Sequence, residues 1–246
     1  MAIPGRHSAT AAIAVFLISF PLTSCRYAAD GTPGLEYTEL SPVEKKAATS
    51  ISPVRILARP ETWPGGEAVK FSATPVYLKL ENRGDAPLLI RYSDFKVLTP
   101  TGSKFSALPV CLIDTKVRGP IVPGMPPMLT AEAYPPIEEP LFEFRDFRVA
   151  PYLKSLYPTV PAHEGAFPYD LAYNQSQANY WQHTDLPNRE MIMRAVPEGV
   201  LHPGGWIAGW LYFQKFEPMP AGTLVTTLTK LSGQTLPAIR VPIRTQ

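Results

Sequence analysis

The sequence predicts a mainly-β fold, an antiparallel sandwich carrying a long proline-rich, aromatic insertion and one or two short helices. Three observations predict it. Short runs alternate apolar and polar residues at strand period, above all Val76, Leu78 and Leu80 against Tyr77, Lys79 and Glu81. Turn-forming stretches such as Asn82-Arg83-Gly84-Asp85 and Thr99-Pro100-Thr101-Gly102 punctuate those runs. Finally, 29 prolines in 246 residues, concentrated mid-chain, forbid long helices and central strands there.

A hydrophobic content of 45% supplies a proper core, and the length suits one elaborated domain. Charge is nearly balanced at a formal +2. That excludes nucleic acid as the expected partner, because binding it requires a basic footprint.

The elements follow in order. Arg6 is followed by an apolar run from Ala9 to Phe20, broken only by Thr10 and Ser19, and then by Pro21-Leu22-Thr23-Ser24-Cys25. This is the grammar of a secretory signal, with a basic start, a short apolar core and small residues at the cut. The apolar run is too short for a membrane span, which needs about 20 residues. Residues 1–24 therefore read as signal and 25–50 as a polar tether. Within the tether, Ser41-Pro42-Val43-Glu44 combines an N-cap, a first-turn proline and a capping-box glutamate, and predicts a short helix to about Ala48.

Residues 51–246 read as a single domain, with sandwich strands in 51–108 and 197–246 and an insertion at 109–196. A first strand is expected from Ser52 to Leu57. The alternating run at Val76–Glu81 is expected to turn at Asn82–Asp85 and return as a hairpin through Leu88–Tyr92. Phe95–Leu98 and Lys104–Leu108 form another expected pair. The insertion holds clusters such as Phe142-Glu143-Phe144-Arg145-Asp146-Phe147, and disordered segments lack such aromatics, so it is expected to pack on the body. A short helix is expected at Pro187–Val196, with Asp185 near its N-cap. Trp206–Gln214 reads as a strand, and Leu224–Leu231 with Leu236–Ile243 as a terminal hairpin across Ser232-Gly233.

Leu22-Thr23-Ser24-Cys25 resembles the lipobox of bacterial lipoproteins. The resemblance covers the signal and Cys25. It implies a diacylglyceryl (palmitate-type) thioether on Cys25, cleavage after Ser24 and an anchor on the membrane surface. Arg26 stands where an aspartate would cue inner-membrane retention, which leans towards the outer membrane, facing the periplasm. In the alternative reading the protein is ordinarily secreted and Cys25 is a plain cysteine, paired with Cys111 or free. If Cys25 is acylated, Cys111 is expected to be buried and inert within Val110-Cys111-Leu112-Ile113.

The passage from Val76 through Asn82-Arg83-Gly84-Asp85 to Leu88 resembles the B-to-C strand region of bacterial immunoglobulin-like domains. That resemblance implies an immunoglobulin-like sandwich, a fold that hosts many unrelated functions.

Signatures of catalysis are missing from the sequence. His163, His183 and His202 stand apart, His163-Glu164 lacks the second histidine of a zinc-protease helix, and His183 with Asp185 falls short of a zinc ligand set. There is no Gly-x-Ser-x-Gly elbow, phosphate-binding glycine loop or Cys-x-x-Cys. A triad is defined by geometry and is not decided by residue order. Glu138, Glu139 and Glu143 read as solvated loop carboxylates. No metal, cofactor or catalytic residue is expected.

On the strand Trp206–Gln214, Ile207, Leu211 and Phe213 share one face and Trp206, Trp210 and Tyr212 the other. A sandwich buries one face of each sheet, so the aromatic row needs either a cover, supplied by the insertion, or a ligand or partner. The expected role is that of a non-enzymatic envelope lipoprotein, a binding or structural module presenting its domain to a protein or envelope polysaccharide. The alternatives are an accessory subunit that adds a strand at a sheet edge, and an enzyme with a site in the insertion.

Overall fold

The computed structural model describes residues 53–59, 63–111, 135–181, 187–216 and 221–244. The signal, Cys25, the tether with its expected helix, His183 and Asp185 lie outside these residues. In chain order the elements are β1 (Val54–Arg59), α1 (Glu67–Ser72), β2 (Ala73–Asn82), β3 (Leu88–Ile90), β4 (Phe95–Leu98), β5 (Lys104–Ser106), β6 (Glu143–Val149), α2 (Leu171–Ala178), α3 (Arg189–Arg194), β7 (Gly199–Gln214), β8 (Ala221–Thr226), β9 (Thr229–Lys230) and β10 (Ile239–Arg244). The fold is mainly β, built of antiparallel sheets with few and short helices.

Two sheets carry it. The larger holds β1, β2, β7, β3, β9 and β6 and curls into a half-barrel; the smaller has the order β10-β8-β4-β5. β7 is the spine of the larger sheet. Its first residues pair with β3 on one side and β6 on the other, and Trp206–Gln214 pair with β2. Strand alternation directs Val76, Leu78 and Leu80 of β2 and Ile207, Leu211 and Phe213 of β7 into one buried cluster. Phe95, Val97, Leu224 and Ile243 of the smaller sheet belong to the same cluster.

The expected hairpin at Asn82–Asp85 does not form. β2 and β3 both run antiparallel to β7 and pair with successive stretches of it, so the chain makes an excursion at 83–87 and continues in the same direction. Asn82 makes this work. Almost fully buried, its Nδ2 donates to the carbonyls of Ala86 (2.9 Å) and Leu201 (3.0 Å), while its Oδ1 accepts from the Gly84 amide (3.0 Å). A side-chain amide thus bridges the gap in the ladder and satisfies backbone groups that the excursion would strand. The partner of β2 on its other side is β1, with Val54 opposite Asn82.

β4 and β5 pair across the Thr99–Gly102 turn as expected, with Gly102 at φ 86. At the C-terminus, β8 and β10 pair in the smaller sheet, while β9 between them joins β3 in the larger. The terminal hairpin therefore straddles both sheets. Within 109–196, β6 is a strand of the larger sheet, and Phe142, Tyr152, Leu153, Tyr157, Val160, Phe167 and Trp181 are all buried. Among the described residues, no helix is long and apolar enough to cross a membrane.

Candidate functional site

The aromatic row on β7 has two distinct halves. Trp210 and Tyr212 are buried, at 6% and 0% exposure. Trp63, itself 3% exposed, stands edge-on against both, with ring centroids 5.1 and 5.5 Å away, and Tyr77 meets Trp210 edge-on from β2. These are favoured geometries, in which a ring's positive edge meets a negative face. The remaining cover comes from α3 and the residues after it. Tyr212 donates its hydroxyl to the Met191 carbonyl (3.2 Å), and the Val196 amide donates to the Trp210 carbonyl (3.0 Å). Gly209 permits that approach, because a Cβ there would lie 2.8 Å from the Arg194 carbonyl oxygen.

Local sequence chemistry places both parts of the cover. Asn188 caps α3 by accepting the Met191 amide at 2.9 Å, three residues on from Asp185, the residue expected near the N-cap. The Trp63-Pro64-Gly65-Gly66 turn is held by a bond from Trp63 Nε1 to the Gly66 carbonyl (3.2 Å). Glu190 of α3 accepts the Gly66 amide at 3.1 Å, tying the turn to the helix. The Arg194 guanidinium lies 5.8 Å from the Trp63 ring centre.

The other half of the row is open. Trp206 is half-buried, and the Lys79 ammonium sits 4.6 Å from its ring centre. Across the ladder Trp206 faces Glu81 of β2 and Arg145 of β6. Glu81 is paired with Arg83 (2.9 Å) and Arg55 (3.8 Å), and Arg145 donates to the Gly204 carbonyl at 2.7 Å. Beside it β6 bulges between Arg145 and Phe147, with Asp146 in the left-handed region at φ 50. Of the protein's four tryptophans, Trp206 is the one that reaches solvent; Trp63, Trp181 and Trp210 are buried.

A second constellation centres on Glu198, the residue before β7, which sequence reading missed. Glu198 is 4% exposed. Its Oε1 accepts the Tyr92 amide at 2.9 Å and its Oε2 accepts the Tyr152 hydroxyl, while its carbonyl accepts the Ala150 amide at 2.9 Å. Burial raises its carboxyl to about 7, against the lowering effect of the bonds from Tyr152 and Tyr92; Asp94 raises it further and Arg91 lowers it. Arg91 is committed elsewhere, through Nε and Nη2 to both oxygens of Asp94 at 3.1 and 2.7 Å. Burial likewise pushes up the phenols of Tyr92, Tyr152 and Tyr157 and the thiol of Cys111, which is free and buried. A thiol so raised is a poor nucleophile.

The histidines read as isolated are not all so. His163 and His202 come within electrostatic reach of each other; burial first, then His202 and Arg148, hold His163 below its ordinary range, against the opposing pull of Glu164. Among the described residues, no three His, Cys, Asp or Glu side chains come together as a metal would need. No family model matches the chain, and no match was found among the curated proteins or the solved structures.

Proposed function

We propose that this protein is a lipid-anchored envelope module, a non-enzymatic immunoglobulin-like sandwich that offers the Trp206 surface to a protein or polysaccharide of the envelope. The observation that carries the anchor is Leu22-Thr23-Ser24-Cys25 at the end of a twelve-residue apolar run. More than one acyl chain on Cys25 makes attachment stable, since each buried methylene contributes about 0.8 kcal/mol and one chain alone holds only marginally. Arg26 favours the outer membrane, with the body facing the periplasm.

Two features support surface binding over strand addition. Trp206 offers a half-open ring beside Lys79, Arg145 and Glu81, a mixture that suits a sugar ring or a protein anchor residue. Two of the margin strands, by contrast, carry devices that discourage pairing: β6 its bulge and charges, and β10 its Pro242.

The decisive experiment is metabolic labelling with an alkynyl palmitate. The wild-type chain is expected to take up label and partition with membranes, and Cys25→Ser to lose both. After denaturation, the mature wild-type chain should show one titratable thiol, that of Cys111. Two thiols, or an unlabelled wild type, would reject the anchor.

A further inference from the structure

We infer that Glu198 is a proton-operated clamp, which joins the start of β7 to the turns following β3 and β6 when its carboxyl is neutral and loosens that junction when it ionises. The geometry defines the joint. Tyr92 opens the single helical turn between β3 and β4, where the chain passes from the larger sheet to the smaller, and Tyr152 lies in the turn after β6. Glu198 bonds to both, and its own carbonyl holds Ala150. Three segments distant in sequence therefore meet on one side chain, four residues beyond the helix that covers Trp210 and Tyr212.

Both bonds persist in the neutral acid. Oε1 still accepts the Tyr92 amide, while Oε2 carries the proton and donates to the Tyr152 oxygen in place of accepting from it. Ionisation places a charge in the same dry space. The bonds donated by the Tyr92 amide and the Tyr152 hydroxyl favour the charge but offset only part of the cost of burial, and the other neighbours add little: Cys111 is buried and neutral, and Tyr173 of α2 also feels the charge. Asp94 opposes ionisation, and Arg91 is already bonded to Asp94. An uncompensated buried charge costs far more than a paired one.

The direction follows. With the folded carboxyl at about 7 and the ordinary value at 4.5, the folded chain holds the proton more tightly than the unfolded one. The stabilisation is fully present below the ordinary value and is lost as pH rises through the folded one. Linkage makes the Glu198 contribution to the unfolding constant rise roughly 70-fold between pH 5 and pH 8.

The test is urea unfolding of the mature chain across that range, beside Glu198→Gln, which keeps the acceptor for Tyr92 without a charge. The wild type is expected to show the increment and the variant to lose it, with the Tyr92 amide exchanging faster at high pH, after correction for intrinsic exchange, in the wild type only. An equal increment in both chains overturns the clamp. Should Glu198→Gln fail to fold, the wild type decides: a carbon-13 midpoint of the Glu198 carboxyl near 7, with Tyr92 amide protection falling through the same midpoint, upholds the clamp, and a midpoint in the ordinary range or unchanged protection overturns it. This inference stands whether or not Cys25 is acylated.

Discussion

Replacing Trp63 by alanine should both destabilise the protein and open the aromatic row. Trp63 is 3% exposed, makes edge-on contacts with Trp210 and Tyr212, and donates Nε1 to Gly66. An indole of this kind buries about 200 Å², worth about 5 kcal/mol at 25 cal/mol per Å² as an upper figure. Buried Trp→Ala changes cost about 3–5 kcal/mol. Because Trp63 sits on a turn that can partly settle into the gap, a loss of about 3 kcal/mol is expected by urea unfolding. Iodide quenching reads the geometry separately. In the wild type one tryptophan of four, Trp206, is within reach of solvent, and a Trp206→Phe chain should be nearly immune to the quencher. In Trp63→Ala, Trp210 should become a second quenchable ring. A loss below 1 kcal/mol with no new quenching would refute the reasoning, since α3 and Tyr77 would then suffice to cover the row.

Asn82→Ala removes three hydrogen bonds at the excursion between β2 and β3, and about 3 kcal/mol should be lost, measured by thermal or urea unfolding, at about 1 kcal/mol per bond. Gly209→Ala would set a Cβ 2.8 Å from the Arg194 carbonyl and 3.0 Å from the Phe142 Cβ; overpacking of about 2 kcal/mol should follow, with the Val196 amide losing hydrogen-exchange protection as α3 is pushed off β7.

Much of the fold is legible from local chemistry. Alternation at Val76–Glu81 marks β2 and its inward face, Thr99–Gly102 marks the β4–β5 turn, and the residues around Pro187–Val196 mark α3. The division of β7 into an apolar face and an aromatic one also follows from strand period alone. These features depend on neighbours in the chain, and side-chain type reports them directly.

The rest depended on residues that meet only in the folded chain. Asn82-Arg83-Gly84-Asp85 is a competent turn sequence, yet pairing of β2 and β3 with one long strand overrode the reversal, and Asn82 became a bridge to Leu201. Nothing near Glu198 in sequence announces a buried carboxyl; its environment is assembled by Tyr92 and Tyr152, 106 and 46 residues away. Trp63 lies well before β7 and carries no local sign that it will cover Trp210. The amino-acid sequence by itself determined the β class and the period of strands such as β2 and β7, because these are set by backbone geometry and nearest neighbours. Tertiary structure alone decided which strands pair, which aromatic ring reaches solvent and which carboxyl is buried, because each is an outcome of packing between distant segments.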